Sequence, residues 1–305
     1  MSGDTAMRFG LNLPNYGTLG HRDAMIAIAE RADELGYTSL WTSDHILLPT
    51  SLPDPFGNLL ESFTTLSYLA ARTEHIGLAT GVLVLPQRDP LLVAKQAATV
   101  HHLSGGRLAL GIGVGWIPEE YGYLRADFHT RGALADEYIA AMRTLFETDA
   151  PDFHGAHIDY SDVLFSPKPS VPLRIVVGGT RYAALKRAAA LGDGWHGLYL
   201  SPDQARDAIA IINEFGHVDR FEISMRTMTR VGGAIDDVDP ETVLHGDPAA
   251  IVQQVDRYAA AGVHHLIIEP VASDLDGFLD QITRFAVDVV APTGRQPTPI
   301  KELPS

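Results

Sequence analysis

Short apolar runs rich in β-branched residues alternate with longer amphipathic runs, and this unit occurs eight times between residues 8 and 290. Most of the short runs lack a two-residue period, which is typical of strands that are covered on both faces. Eight strand-then-helix units favour an α/β protein with a (β/α)8 TIM barrel, a fold of about 250 residues before insertions. A doubly wound parallel sheet is the alternative.

The same pattern predicts the individual elements. The predicted strands cover residues 8–13, 39–42, 76–84, 108–114, 173–177, 194–199, 221–231 and 265–270. Helices are predicted from residue 25 to a C-cap at Gly36, and over residues 63–72, 91–103, 132–148, 182–191, 202–215, 248–261 and 275–290. Ser201 and Asp247 each precede a proline at a predicted helix start, where a side-chain oxygen can cap the helix.

Extra sequence lies between some of these elements. Insertions follow the second, fourth and seventh strands, over residues 46–61, 116–131 and 232–246, and another precedes the fifth strand, over residues 151–171. The first three would lie at the C-terminal face, where barrel enzymes build their active sites. The sequence of the insertion before the fifth strand predicts a small hairpin at residues 157–160. We expect a barrel domain over residues 7–291, a flexible leader over 1–6 and a loose proline-rich tail over 292–305.

Composition excludes several classes of function. The chain has no cysteine, which excludes disulfides, thiolate zinc sites, iron-sulfur clusters and cysteine nucleophiles. Its formal net charge of −15 disfavours a nucleic-acid partner. It also lacks an apolar run of the roughly 20 residues that a membrane helix needs. We therefore expect a cytoplasmic protein that acts on a small molecule, without a metal, a nucleic acid or a membrane as partner.

Ser43, Asp44 and His45 stand directly after the apolar second strand. A histidine beside a carboxylate at the C-terminal end of a barrel strand is well placed for proton transfer, because the imidazole pKa is near neutral. The alternative interpretation is a loop histidine that is hydrogen-bonded to its neighbours.

Glycines mark three further strand ends. Gly81 interrupts the third strand, which indicates a bulge or a close approach of a ligand, or a glycine that turns a barrel corner. The fourth strand ends in the string GIGVGW over residues 111–116, which either admits a flat ring or phosphate or packs tightly inside the barrel. Gly178, Gly179, Thr180 and Arg181 open a helix, which favours phosphate binding over an ordinary turn.

Taken together, these strings resemble the bacterial-luciferase-like superfamily, and within it the oxidoreductase branch that uses the deazaflavin coenzyme F420. The resemblance extends from residues 9–12 to about residue 290. It is carried, in the same order, by residues 43–45, 83–96 (LVLPQRDPLLVAKQ), 103–108 (LSGGRL), 111–116 and 190–195 (ALGDGW).

The resemblance implies a flavin-like cofactor at the C-terminal mouth of the barrel, coenzyme F420 or alternatively FMN. It implies catalytic roles for His45, which exchanges a proton, and for Asp44 beside the ring. It also implies a cis peptide between Gly81 and Val82, and a homodimer. The expected cofactor contacts are Asn12, Asp44, Thr80, Gly81, Val82, Gly113, Val114, Gly115, Trp116, Gly178, Gly179, Thr180 and Arg181.

One position departs from the family pattern. Some sugar-phosphate dehydrogenases of this branch have a catalytic glutamate after the last glycine of strand four, where this chain has Trp116. Glu119 and Glu120 are near in sequence but not at the matched position. Oxidation of a sugar phosphate is therefore disfavoured, and the aromatic side chain indicates an apolar or planar substrate.

Three functions remain open at this point. The first is an F420-dependent oxidoreductase that transfers a hydride to or from a small organic substrate. The second is an FMN-dependent monooxygenase that uses reduced flavin and oxygen. The third is a barrel that binds a cofactor without catalysis, which the pair of Asp44 and His45 argues against.

Overall fold

The computed structural model describes residues 7–52, 58–216 and 221–294. The predicted leader, and residues 295–305 of the predicted tail, lie outside the described residues. Within the described part of the chain, eight parallel strands form a closed ring with helices outside it, so the predicted TIM barrel is confirmed. The ring closes because the last strand pairs with the first, Arg8 lying beside His265.

The strands alternate with the helices along the chain. The barrel strands are β1 (Arg8–Leu13), β2 (Ser39–Thr42), β3 (Gly77–Thr80, continued at Leu83–Val84), β4 (Leu108–Gly113), β5 (Ile175–Gly178), β6 (Gly194–Leu198), β7 (Glu222–Val231) and β8 (His265–Pro270). The helices are α1 (Arg22–Glu34), α2 (Ser62–Ala70), α3 (Pro90–Leu103), α4 (Pro118–Tyr123), α5 (Arg131–Glu147), α6 (Tyr182–Leu191), α7 (Pro202–Glu214), α8 (Pro248–Ala260) and α9 (Leu275–Arg284).

Local sequence signals account for many of these boundaries. The predicted caps are confirmed, because Ser201 accepts a hydrogen bond from the Gln204 N–H at 3.3 Å and Asp247 accepts one from the Ala250 N–H at 2.8 Å. Gly36 follows α1 with a φ of 78°, a left-handed value that glycine adopts without steric cost. The predicted hairpin also forms, with Phe153–His154 antiparallel to Asp159–Tyr160.

Two predicted elements are divided. The third strand was expected to be continuous over residues 76–84, but the cis peptide between Gly81 and Val82 interrupts it. Its second part, Leu83–Val84, pairs with β4 alone. The last helix was expected over residues 275–290, but α9 ends at Arg284 and continues as the π-helix Phe285–Val290, whose wider turns bring Phe285 and Val289 into the core.

The main apolar core lies between the barrel and the helices, as usual for this fold. A small second cluster fills part of the barrel interior and consists of Trp41, Ala79, Val176 and Ile267. None of the helices in the described ranges combines the length and apolar character that crossing a membrane requires.

The rest of the barrel interior is polar, and β7 contributes three of its side chains. Glu222 lies at the N-terminal end of its strand, away from the mouth, and accepts hydrogen bonds from Arg8 and from Arg174 Nη1 at 2.7 Å. Ser224, one layer up, accepts a hydrogen bond from His196 Nδ1 at 2.9 Å and donates one to the Trp195 carbonyl. Arg226, two residues further along the strand, lies at the C-terminal mouth of the barrel. Alternate residues of one strand thus place polar or charged side chains at successive depths.

His196 is buried and stacks on Trp41, with 4.5 Å between the ring centroids. Burial, and after it the positive charge of Arg226, lowers the pKa of His196 from 6.5 to about 3. The folded protein therefore holds this imidazole neutral, whereas the unfolded chain protonates it below pH 6.5.

We expect this difference to make unfolding easier in acid. As the pH falls from 7 to 5, the unfolded chain binds a proton that folded His196 does not, which costs about 2 kcal/mol of folding free energy at pH 5. His196→Gln should remove this contribution and flatten the dependence of the unfolding free energy on pH. Urea unfolding at both pH values measures it. His102→Gln, at an exposed position of α3, is the control, and an unchanged slope in His196→Gln would contradict the argument.

Candidate active site

The predicted site residues lie at the C-terminal ends of five neighbouring strands. Asn12 is on β1, Asp44 and His45 follow β2, and residues 80–82 end the first part of β3. Residues 113–116 end β4 and residues 178–181 end β5. Because the strands are parallel and consecutive in the ring, these segments surround one side of the barrel mouth. The structure thus brings the predicted residues together at the mouth, whereas the site that they form and the role of each residue remain predictions.

The carboxylate that pairs with His45 is Glu120, not the adjacent Asp44. Glu120 lies on α4, and its Oε2 is 2.9 Å from His45 Nδ1. Its Oε1 accepts hydrogen bonds from the N–H groups of Ile46 and Leu47 at 2.6 and 3.2 Å. Gln87 donates another bond to Oε2 at 3.1 Å. One buried side chain thus fixes both the imidazole and the backbone that follows it.

Burial opposes ionisation of Glu120, but the hydrogen bonds from His45, the Ile46 N–H and Gln87 outweigh it and lower the pKa of this carboxyl. Glu120 is therefore a carboxylate at neutral pH. A carboxylate on Nδ1 keeps a proton on that nitrogen, so a proton exchanged by this ring would be exchanged at Nε2. The His45 side chain is 11% exposed, which places it at the edge of the mouth.

The predicted catalytic residue Asp44 has a different environment. Its side chain is fully buried, and its Oδ1 accepts a hydrogen bond from Arg88 Nη2 at 2.8 Å. Its Oδ2 accepts one from the Val84 N–H, also at 2.8 Å. Burial raises the pKa of Asp44, although Arg88 and the Val84 N–H oppose that shift. These contacts join β2 to β3, and they favour a positioning role for the carboxylate over direct contact with a substrate.

The backbone beneath His45 is held from β1 and α2. Asn15 Nδ2 donates to the Ser43 carbonyl at 2.9 Å, and the Ser43 N–H donates to Asn15 Oδ1 at the same distance. Ser62 donates a further bond to the Ser43 carbonyl. The segment that carries His45 is therefore anchored by one side chain from the loop after β1 and one from α2.

Two residues that were predicted to contact the cofactor, Thr80 and Val82, have side chains that make contacts within the protein. The Thr80 hydroxyl is completely buried and donates to the Gly111 carbonyl at 2.6 Å, so its side chain is unavailable to a cofactor. The partly exposed Val82 side chain lies against β4 and β5, where a Cβ on Gly113 or Gly178 would be 2.6 Å from its methyl groups. Tight packing therefore explains glycine at positions 113 and 178, and for position 113 this is the alternative that the sequence left open.

An apolar rim surrounds His45. Trp116 is 61% exposed, and its ring meets the His45 ring edge to face, with 6.3 Å between centroids. Ile46 and Leu47, which follow His45 in the chain, are also exposed. Exposed apolar side chains grouped at a barrel mouth are typical of a site for an apolar or planar ligand.

The start of α6 suits a phosphate. Six helices, α1, α2, α3, α7, α8 and α9, begin with a side chain that caps their free N–H groups, whereas α6, like α4 and α5, has no side-chain cap; its N-cap residue is Arg181. Gly179 has a φ of 121°, and residues 179–183 are exposed. Uncapped N–H groups at a helix start attract anions. Asn12 Oδ1 is buried at the mouth without a partner among the described residues, so a donor on a bound ring would satisfy it.

A second cluster at the mouth was not predicted. Arg226 Nε and Nη2 donate to the two carboxylate oxygens of Glu269 at 2.9 and 2.7 Å. Tyr16 donates to Glu269 Oε1 at 2.8 Å, and Tyr199 donates to Oε2. Arg226 Nη1 is 3.3 Å from the Ser43 hydroxyl, which links this cluster to the segment that carries His45.

Sequence signals for the missed residues exist but are weak. Arg226 is a charge in the middle of a strand that alternates polar and apolar residues, and Glu269 is a charge near the end of an otherwise mostly apolar strand. Both are features that indicate function when a strand lines a barrel. Glu120 lies four residues after Trp116, on the helix that opens the fourth-strand insertion.

Comparison with known proteins identifies several relatives. The family model of luciferase-like monooxygenases matches residues 7–232. An uncharacterised protein of Mycobacterium tuberculosis, Rv0940c, is 35% identical over 65% of this chain and 74% of its own length. The F420-dependent glucose-6-phosphate dehydrogenase of Amycolatopsis mediterranei is 27% identical over 89% of this chain and 94% of its own length.

Solved structures with the same fold include a monooxygenase and an F420-dependent dehydrogenase. Monooxygenase RslO1 from Streptomyces bottropensis superposes with a TM-score of 0.81 at 20% identity, over 94% of this chain and 100% of that one. An F420-dependent secondary alcohol dehydrogenase superposes with a TM-score of 0.79 at 17% identity, over 94% and 98% of the two chains. At these identities the likeness supports the fold alone.

Proposed function

The chain belongs to the luciferase-like monooxygenase family, and on that premise we propose that it is an F420-dependent oxidoreductase whose His45 exchanges a proton with a small organic substrate. The observation that carries the proposal is the contact between His45 and Glu120, which holds an imidazole, a group able to exchange protons near neutral pH, at the mouth of the barrel. The F420-dependent relative, which aligns along most of this chain, supports the choice of cofactor.

The residues of this chain would share the work as follows. The deazaflavin would supply or accept the hydride. His45 would hold or release the accompanying proton at Nε2, while Glu120 fixes the ring through Nδ1. Trp116, Ile46 and Leu47 would exclude water from the substrate.

The cofactor would be held at the first five strand ends. The N–H groups of Thr180 and Arg181 would bind its phosphate, with the Arg181 side chain as an exposed charge for an anionic tail. Asn12 would accept a hydrogen bond from the ring, and Val82 would lie beneath it. The homodimer implied by the family resemblance stays a prediction.

A second candidate is an FMN-dependent monooxygenase. A pyrimidine monooxygenase, RutA of Bradyrhizobium, is 38% identical over 44% of this chain and 38% of its own length. The phosphate site and the apolar rim would serve FMN as well as F420, because both cofactors combine a planar ring with a phosphate. The two candidates therefore differ in the cofactor that binds and in the need for oxygen.

We expect the purified protein to bind F420 at least about 10-fold more tightly than FMN, which corresponds to about 1.4 kcal/mol. Titration of the full chain with each cofactor, oxidised and reduced, followed by fluorescence or calorimetry, measures the two dissociation constants. Tighter binding of FMN, together with turnover that requires oxygen, would replace the proposal with the monooxygenase.

A further inference from the structure

Four hydrogen bonds converge on the carboxylate of Glu269. Two come from the Arg226 guanidinium in a bidentate arrangement, and two come from the hydroxyls of Tyr16 and Tyr199. A fork of guanidinium N–H groups flanked by hydroxyl donors is the arrangement that proteins use to bind a carboxylate or phosphate ligand. Here a side chain of the protein itself occupies it.

The cluster faces the same mouth as His45. Tyr16 follows β1, Tyr199 follows β6, Arg226 lies on β7 level with the end of β6, and Glu269 is the penultimate residue of β8. Arg226 also contacts the Ser43 hydroxyl, two residues before His45. These strand ends complete the ring that the first five strands begin, so a substrate near His45 would meet this cluster.

The conformation of Tyr199 indicates that its position matters. Its φ is 51°, a left-handed value that is sterically unfavourable for a bulky residue. The Tyr199 N–H donates to the Arg226 carbonyl at 3.0 Å, which holds the turn, and the ring is 37% exposed. The fold accepts this cost while it directs the hydroxyl to Glu269 and leaves part of the ring at the mouth.

Glu269 neutralises the positive charge of Arg226 at the mouth. The Arg226 side chain is 9% exposed, and a buried guanidinium without a counter-ion is costly, so an anion is needed beside it. Glu269 supplies that anion permanently. A substrate carboxylate or phosphate would find the donors already used and would face a like charge at close range. Arg88, the guanidinium that contacts Asp44, is neutralised in the same way.

We propose that the substrate of this site is uncharged, because Glu269 fills the anion-binding site that Arg226, Tyr16 and Tyr199 form at the mouth. The exposed apolar side chains of Trp116, Leu198 and Tyr199 suit such a substrate. The inference rests on the proposed function for the location of the substrate, but not for the anion-binding site itself.

The test removes the carboxylate of Glu269 by mutation and adds acetate as an anion from solution. Glu269→Ala is expected to bind acetate with a millimolar dissociation constant, and acetate should raise its melting temperature relative to equal concentrations of chloride. The wild-type protein should bind acetate at least about 10-fold more weakly. Calorimetry and thermal unfolding of the full chain without cofactor provide both measurements.

Three controls make the result specific. Glu241→Ala removes an exposed partner of Arg257 and should gain no acetate binding. Glu269→Ala combined with Arg226→Leu should lose the gain. Glu269→Gln keeps the size of the side chain but leaves Arg226 uncompensated, so it should show a weaker acetate effect even where Glu269→Ala does not fold.

Equal acetate binding by the wild type and Glu269→Ala would overturn the proposal, and so would a folded Glu269→Gln without any acetate effect. Because these measurements use protein without cofactor, they do not depend on whether F420 or FMN binds. A gain of acetate binding together with a preference for FMN would therefore support the anion-binding site and reject the F420 assignment.

Discussion

Replacing His45 by alanine is expected to lower turnover by about 10²-fold or more, the usual size of a lost acid-base group. The imidazole lies at the edge of the mouth and is held through Nδ1 by Glu120 at 2.9 Å, so its removal takes away the proton exchange and little of the binding surface. Cofactor affinity should stay within a few-fold. Steady-state kinetics of the loaded enzyme, with a cofactor titration of the same variant, separate the two effects.

The partner of His45 provides a second variant with a matched control. Glu120→Ala leaves the imidazole in place but unanchored, so we expect a smaller loss of turnover, about 10-fold. Glu119→Ala removes the exposed neighbouring carboxylate on the same helix and should leave turnover unchanged. A His45 variant with normal turnover and collapsed cofactor binding would show that His45 is a cofactor contact alone.

The fold could be predicted because its signal is repeated. Strands covered on both faces lose the two-residue period, and each is followed by a helix with one apolar face, so eight units in sequence leave few alternatives. The breaks inside elements could not be predicted from that pattern. Residues 76–84 are apolar on both sides of the cis peptide, and residues 275–290 keep their apolar spacing through the change to a π-helix.

The candidate site could be predicted where its residues are neighbours in sequence. His45 and the glycine strings lie at strand ends, and the order of elements gives their position. Glu120 is 75 residues from His45, and its contact depends on how α4 folds over the mouth, which periodicity does not reveal. The sequence therefore associated His45 with Asp44, although the Asp44 carboxylate is directed to Arg88.

The cluster of Arg226 and Glu269 was missed for a different reason. Arg226 is one of several polar residues on its strand, and its partner Glu269 lies 43 residues away on the next strand of the ring. Parallel register brings Thr227 beside Ile268 and Met228 beside Glu269, so the pair forms between neighbouring strands. Sequence position alone does not distinguish such a pair from a solvated charge.

Close packing between strands, without any ligand, explains why Gly111 is glycine in the string at the end of β4. A Cβ at this position would be 1.9 Å from the backbone oxygen of Thr80, and 3.4 Å from the Trp41 ring. Backbone cannot rotate away as a side chain can, so β3 and β4 would have to separate. We expect Gly111→Ala to lower the free energy of unfolding by about 3 kcal/mol or more, at the upper end of overpacking effects.

Gly122→Ala is the matched control, because it makes the same chemical change on α4, where a Cβ would meet no atom within 4 Å. Alanine in a helix is about 1 kcal/mol more favourable than glycine, so this variant should be as stable as the wild type or more so. Urea unfolding compares the three proteins. Since Thr80 and Gly81 are consecutive, displacement of β3 by Gly111→Ala should also weaken cofactor binding. Wild-type stability in Gly111→Ala would mean that β3 and β4 can separate at little cost, and that close packing is not what requires glycine there.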